Sequence, residues 1–358
     1  KQSMTKALNV AIVGYGFASK TFHAPLIVGV PGLQLTAIAS SDPAKVKADW
    51  PDVAVDATPA DLFARPEIDL VVIPTPNDSH FPLARMALAA GKHVVVDKPF
   101  TVTLAEARCL QTEAAAASRL LSVFHNRRWD SDSLTLQQVI ATGELGHIVH
   151  FESHFDRYRP QVRARWREQA GAGSGLWYDL GAHLIDQVLQ ILGMPETIAL
   201  DLATQRQGAA TDDWFHAVLR YGQSRCILHG SALVAVPAPR FTVHGSLGSF
   251  TKLGLDPQED HLKSGIRPPA PGWGEDPLTA TLSVWRDGVC RTRERTCIAG
   301  DYPAYYSAVR DAICGLGPNP VTADEGIAVM GLLELGLQSA RAGHVLSTSP
   351  SLPRPGSN

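Results

Sequence analysis

The chain has 358 residues, more than one compact core normally organises, so two domains are expected. Hydrophobic residues make up 45% and charged residues 19%, a globular balance that excludes disordered or fibrous classes. A formal net charge of −3, with no dense Lys/Arg block, argues against a polyanion partner, so no nucleic acid is expected. The apolar runs are strand-sized, far short of the about 20 residues of a membrane span, so no membrane association is expected. Nothing at the start reads as a secretion signal, and Met4 is expected to be the natural first residue, preceded by an added Lys1-Gln2-Ser3. Cys109, Cys226, Cys290, Cys297 and Cys314 form no C-x-x-C pair and are expected to be buried free thiols in the cytoplasm.

In chain order, Leu8 to Val13 is an apolar strand ending in a glycine turn, and Leu33 to Ala39 is a second strand ending at Ser40-Ser41-Asp42. Leu70 to Ile73 is a third, followed by a helix from Phe81 to Ala90. Val94 to Val96, a helix from Leu104 to Arg119, and Leu120 to Phe124 complete the alternation. Strands alternating with helices predict a parallel sheet with right-handed crossovers over residues 5–125. The rest, 126–346, reads as an α+β domain with a large, mostly antiparallel open sheet. Its elements are a helix over Leu134 to Ala141, a long strand from Ile148 to Phe155 and a helix near Asp179 to Leu192. Strands follow at Phe215 to Tyr221, Arg225 to Leu233, Phe241 to Gly245, Ser249 to Leu253 and Ser283 to Arg286, then helices at Tyr305 to Cys314 and Asp324 to Ala342. Gly254 to Trp273 reads as a long surface loop, and 347–358, rich in Ser and Pro, as a flexible tail.

The chemistry begins at Gly14-x-Gly16-x-x-Ser19, a glycine turn between a strand and a helix. Glycines there let a dinucleotide pyrophosphate approach the backbone, with Phe17 in the turn and Ser19 in place of the third glycine. At the end of the second strand, Ser40 and Ser41 stand where a carboxylate would hold the adenosine ribose. Without that carboxylate a 2′-phosphate is not repelled, and Lys45 or Lys47 can add charge, so NADP is expected ahead of NAD. The alternative is that Ser41-Asp42-Pro43 is only a turn and helix cap. Thr75, Asn77 and His80 lie at the same rim; Asn77 suits a ribose or carboxamide contact, a helix cap, or both.

Val94-Val95-Val96-Asp97-Lys98-Pro99 delivers an acid and a lysine to a strand end, where a parallel sheet meets its cofactor. Later, Asp179 and His183 are four apart on a predicted helix, with Asp186 following and Leu180, Leu184, Val188 and Ile191 opposite. The glycine-rich approach Gly171 to Gly175 suits a loop passing close to a ligand, while the bland alternative makes Asp179 a cap and His183 a solvated residue. No His/Cys/carboxylate set stands at ligand spacing, so no metal is expected.

The glycine turn, Asp97-Lys98-Pro99 and Asp179-x-Gly181-x-His183-x-x-Asp186 together resemble the Gfo/Idh/MocA family, which includes glucose-fructose oxidoreductase and inositol dehydrogenases. Asp97 replaces that family's usual glutamate. His125 to Asp130 further resembles a bacterial subgroup containing NADP-dependent scyllo-inositol dehydrogenases. The resemblance implies Lys98, Asp179 and His183 as the catalytic constellation. It also implies a dehydrogenase acting on a secondary hydroxyl or ketone of a cyclitol, sugar or polyol, and a homodimer or higher homo-oligomer formed through the second domain's sheet. Imperfect alternation in Phe215 to Tyr221 and Arg225 to Leu233 makes the outer face of that sheet read as partly apolar, which suits self-association. Arg127, Tyr158, Arg163, Trp166, Trp177 and Asp186 are candidate substrate contacts. The competing readings are a dinucleotide-binding sensor without turnover and an NAD-dependent glycosidase working through transient oxidation.

Overall fold

The computed structural model describes residues 7–354, so the expectation about Met4 lies outside the described residues. Contacts divide the chain into two compact units. The first comprises Lys1–Asn126, Gln258–Trp273 and Asp301–Gly326; the second comprises Arg127–Pro257, Gly274–Gly300 and Ile327–Asn358. The chain thus returns to the first unit twice, which a contiguous division at 125 does not provide.

The first unit holds six strands, β1 (Leu8–Val13), β2 (Leu33–Ala39), β3 (Ala54–Asp56), β4 (Leu70–Ile73), β5 (His93–Asp97) and β6 (Leu121–Phe124). They form one parallel sheet in the order β3-β2-β1-β4-β5-β6, the doubly wound dinucleotide-binding arrangement. Val10 to Ile12, Leu70 to Ile73 and Val94 to Val96 are wholly buried, as continuous apolar runs covered on both faces must be. After β5, Thr103 caps the helix Leu104–Ala117: its hydroxyl accepts from Glu106 N at 3.2 Å, and Glu106 Oε2 accepts from Thr103 N at 3.1 Å. Such a cap contributes about 1 kcal/mol and fixes the turn that follows Lys98.

The predicted surface loop at Gly254 to Trp273 is a correction. It contains the helix Gln258–Lys263, and Gln258 is wholly buried. The Gln258 Oε1 accepts from Tyr302 N at 2.7 Å and from Trp273 Nε1 at 3.1 Å, which gives the polar stretch its buried anchor.

The second unit carries β7 (Ile148–Asp156), β8 (Thr197–Ala203), β9 (Trp214–Tyr221), β10 (Ser224–Ser231), β11 (Phe241–Gly245), β12 (Gly248–Lys252), β13 (Ala280–Arg286), β14 (Val289–Arg295) and β15 (Leu346–Ser347). Their order is β14-β13-β12-β11-β7-β10-β9-β8-β15, and only β7 and β10 pair in parallel. One face buries Phe151, Phe155, Phe215, Leu228, Phe241 and Phe250. The other sets half-buried Trp214, Val218 and Ile227 among His150, Glu152, His154, Asp156, His216, Arg220, Arg225, His229 and His244 on its central strands.

The tail is not free from Ser347 onward. β15 pairs with β8, the Thr348 hydroxyl donates to Pro195 O at 2.6 Å, and Leu352 is buried. Leu352 fits where a Cβ on Gly331 would stand 2.3 Å from its methyl carbon, so a side chain there would exclude it. All five cysteines are free, but only Cys226 is buried and Cys290 is exposed, so the expectation of buried thiols holds at one position. Among the described residues, no helix is long and apolar enough to cross a membrane.

Candidate active site

Two groups of predicted residues are assembled, one within each unit. In the first unit, a cavity of about 450 Å³ opens beyond the carboxyl ends of β1, β2 and β4. Gly14, Tyr15, Ser40, Ser41, Asp42, Lys45, Thr75 and Ser79 line it. This is the crevice at the point where strand order reverses, between β1 and β4, the usual place for a dinucleotide on this fold. Gly14 adopts φ +82°, which disfavours any side chain, and a Cβ on Gly16 would enter open space. Ser19 lies outside the cavity lining: it is buried, and its hydroxyl donates to Gly14 O at 2.8 Å, closing the glycine turn from behind. Phe17 is 59% exposed and packs edge-on against Phe22.

At the β2 end, Asp42 accepts from Lys45 N at 3.1 Å as the cap of the helix Pro43–Asp49. The carboxylate nearest the strand end is therefore occupied by its own backbone, while Ser41 is exposed and Lys45 lines the cavity. The cap reading of this segment holds, and Asp42 also lines the cavity. Glycine backbone, two serine hydroxyls, a lysine and the Asp42 carboxylate thus share one cavity, groups that suit a dinucleotide.

Asn77 opens the helix Asn77–Ala89 and is buried, while the preceding Pro76 occupies the cap position. His80, wholly buried, places Nε2 2.8 Å from Thr75 O and Nδ1 2.9 Å from Pro99 O. Burial pushes its pKa down, against the opposing pull of Asp97 and these carbonyls. His80 thus ties the end of β4 to the turn carrying Lys98 and does not line the cavity. Asp97 holds the same turn from the other side, its Oδ1 accepting from Lys98 N at 2.8 Å.

In the second unit, Asp179 lies in a π-helical turn, Trp177–Gly181, that runs into the α-helix Ala182–Leu192. The wider turn alters the simple four-residue stacking expected of Asp179 and His183. Residues 182 to 189 are all buried, so His183 is not on a solvated face. The capping role offered to Asp179 belongs to Asp212, whose Oδ2 accepts from Trp177 N at 2.7 Å. Burial nonetheless raises the Asp212 pKa, against those hydrogen bonds. Gly175 explains the glycine-rich approach: at φ +94°, a Cβ there would meet Asp212 Oδ1 at 2.0 Å. That side chain makes the close approach, and Gly175 also lines the cavity beside Asp179. Trp177 is core, wholly buried, with its indole N–H donating to Leu333 O at 3.0 Å.

Beside Asp179 lies a small polar cavity of about 30 Å³, lined by Arg157, Arg159, Arg165, Arg167, Glu168, Arg206 and Asp212. The Nε of Arg167 stands 3.4 Å from Asp179 Oδ1, and its guanidinium stacks over Trp166 at 4.5 Å. Arg163 is exposed and its backbone N–H donates to Glu168, while Tyr158 is 61% exposed. Two other substrate candidates are held by internal contacts. Asp186 is buried in a two-pronged ion pair with Arg128 at 2.7 and 2.9 Å, and Arg127 stacks on Phe155 and pairs with Asp130. None of these five arginines stands out singly in the sequence; the close spacing of four of them, between Arg157 and Arg167, is the available signal. Sequence spacing also offered no metal ligands, yet the sheet brings His154, Asp156 and His229 together across 75 residues of chain.

Comparison with known proteins agrees with this architecture. The chain is 57% identical to the uncharacterized oxidoreductase YdgJ of Escherichia coli K12, covering 94% of this chain and 98% of that protein. It is 38% identical to the scyllo-inositol 2-dehydrogenase (NADP(+)) IolW of Bacillus subtilis 168, covering 93% and 94%. The structure of the oxidoreductase YPO2259 from Yersinia pestis is similar with a TM-score of 0.94 and 54% identity, covering 97% of this chain and 99% of that one. The oxidoreductase family's NAD-binding Rossmann fold matches residues 8–125 and its C-terminal alpha/beta domain matches 137–348, so the chain belongs to the Gfo/Idh/MocA family of oxidoreductases.

Proposed function

We propose that this oxidoreductase uses NADP in preference to NAD and interconverts a secondary hydroxyl and a ketone on a cyclitol, sugar or polyol. The observation that carries this reading is the β2 end, where Ser40, Ser41 and Lys45 line the cavity and Asp42 is committed to capping. The likeness to an NADP-dependent scyllo-inositol dehydrogenase supports the substrate class.

The nicotinamide, when bound, supplies or accepts the hydride. The chain's residues handle the proton and the oxygen. His183 takes the hydroxyl proton in the oxidative direction and returns it in reduction. Lys98 donates to the reacting oxygen and stabilises the negative charge that develops there. Asp179 orients the imidazole or holds the substrate. We propose, on the family likeness, that the protein works in the cytoplasm as a homodimer formed through the nine-stranded sheet.

A panel of cyclitols, sugars and the corresponding ketones, assayed with NADP and with NAD, tests the reading. Turnover of at least one polyol with NADP is expected. Cofactor binding without turnover anywhere in the panel would favour the sensor, and cofactor retained without exchange would favour the glycosidase.

A further inference from the structure

The outward face of the nine-stranded sheet carries a histidine cluster that hydride transfer does not use. On β7 the alternation of side chains puts His150, Glu152, His154 and Asp156 on that face. The register pairs His154 directly with His229 on the parallel strand β10, and pairs His229 with His216 on the antiparallel strand β9. Asp156, two residues beyond His154, completes the group. One ligand atom from each of His154, Asp156 and His229 lies within 4.8 Å of the others.

We propose that His154, Asp156 and His229 form a binding site for one divalent first-row transition-metal ion of the zinc class. Asp156 is the central observation. Its side chain is 3% exposed, yet Oδ1 accepts no hydrogen bond and faces His229 Nε2 at 3.8 Å. A buried carboxylate oxygen so placed calls for a cation.

The histidines are oriented for the same purpose. His229 Nδ1 lies 3.1 Å from His216 Nδ1, a hydrogen bond in which one ring donates and the other accepts. With His229 as the donor, its Nε2 presents a bare lone pair toward Asp156. With His216 as the donor, His229 Nε2 would carry a hydrogen aimed at a carboxylate too distant to accept it. Neutral rings are the ligating form.

His154 offers Nδ1, which stands 3.2 Å from Asp156 Oδ2, while its Nε2 is held by Glu152 Oε1 at 2.6 Å. A ligating imidazole whose other nitrogen is fixed by a carboxylate is the usual support of such metal sites, and here both histidines have one nitrogen fixed. An ion bound at His154 Nδ1 takes the place of any proton there, which is released to solvent. Two nitrogens and one carboxylate oxygen leave a fourth position for water.

The test is independent of the dehydrogenase reading, since it reads metal and not turnover. Chelator-treated protein is titrated with Zn²⁺ against a chromophoric competing chelator. One equivalent per chain is expected, lost in His229→Gln and in His154→Gln, retained in His244→Gln, and weakened about 10- to 100-fold in Glu152→Gln. Uptake that survives in both ligand variants, or no stoichiometric uptake at all, overturns the proposal. Should a ligand variant fail to fold by circular dichroism, Co²⁺ added to the unmodified chain decides. Intense visible absorption of a four-coordinate N/O site upholds the assignment, and the weak spectrum of the hydrated ion refutes it.

Discussion

The imidazole of His23 places Nε2 3.4 Å from Asp97 Oδ2, while its Nδ1 lies 2.6 Å from the Tyr306 hydroxyl. His23 is wholly buried, so the acid beside Lys98 is braced by a histidine that belongs to the glycine-turn segment. Burial alone would raise the Asp97 pKa, but the neighbouring His23, then Lys98 and His80, hold it at about 2. A carboxyl held below its unfolded value of about 3.9 stabilises the fold above that value and loses the benefit as pH falls toward the folded pKa. The shift corresponds to about 2 kcal/mol, lost between about pH 4 and 2. Urea unfolding of the unmodified chain and Asp97→Asn should therefore differ at pH 5 by an amount that shrinks as pH approaches 2. A constant gap across that window would contradict the assignment.

Lys98→Met nearly preserves shape while removing a charged donor to the reacting oxygen. The expected loss in kcat is about 10²–10³-fold, by comparison with removing an oxyanion donor. NADP affinity, measured by fluorescence titration, should stay within a few-fold. Turnover near the normal rate would end the catalytic role of Lys98.

Ser40→Asp places a carboxylate beside the cavity lined by Ser41 and Lys45. It should repel a 2′-phosphate and accept from the free ribose hydroxyls, reversing a preference for NADP into one for NAD. Dissociation constants of both cofactors for both proteins check this. Tighter NAD binding by the unmodified chain refutes the cofactor assignment.

Legibility in the sequence followed burial. β1, β4 and β5 were readable because strands covered on both faces must be continuous apolar runs. β3 escaped because three half-buried residues carry no pattern, and β14 because Val-Cys-Arg-Thr-Arg-Glu-Arg is an edge strand without apolar alternation. The signal for β14 was nevertheless present in Asp287-Gly288, both at positive φ in the two-residue turn after Arg286. Leu352 over Gly331 and Asp212 against Gly175 depend on residues brought together from distant segments, which no local pattern announces. The same limit hid the meeting of His154, Asp156 and His229, the burial of Trp177 and the pairing of Asp186 with Arg128.

The sheet face predicts the oligomeric state. A nine-stranded sheet whose outer face leaves Trp214, Val218 and Ile227 half-exposed suits a closed twofold contact that covers them. Light scattering at micromolar concentration should return a dimer mass. A monomer would exclude the proposed assembly.

The oxidation of substrate should rise with pH along one limb that belongs to His183, because only the deprotonated imidazole accepts the hydroxyl proton; reduction should show the opposite limb. His183→Ala should lower the oxidation rate and remove that limb from the kcat/KM profile. Asp179→Asn should move the limb to lower pH, since losing a negative charge disfavours the imidazolium. Arg167, 3.4 Å from Asp179, partly cancels that charge, so Arg167→Met should move the limb the other way. The π-helical turn at Trp177–Gly181 makes this pair of shifts a real test, because it displaces Asp179 from the regular helical stack beneath His183. A limb that survives in His183→Ala would assign the proton to another group, with Lys98 next in line and Asp179 after it.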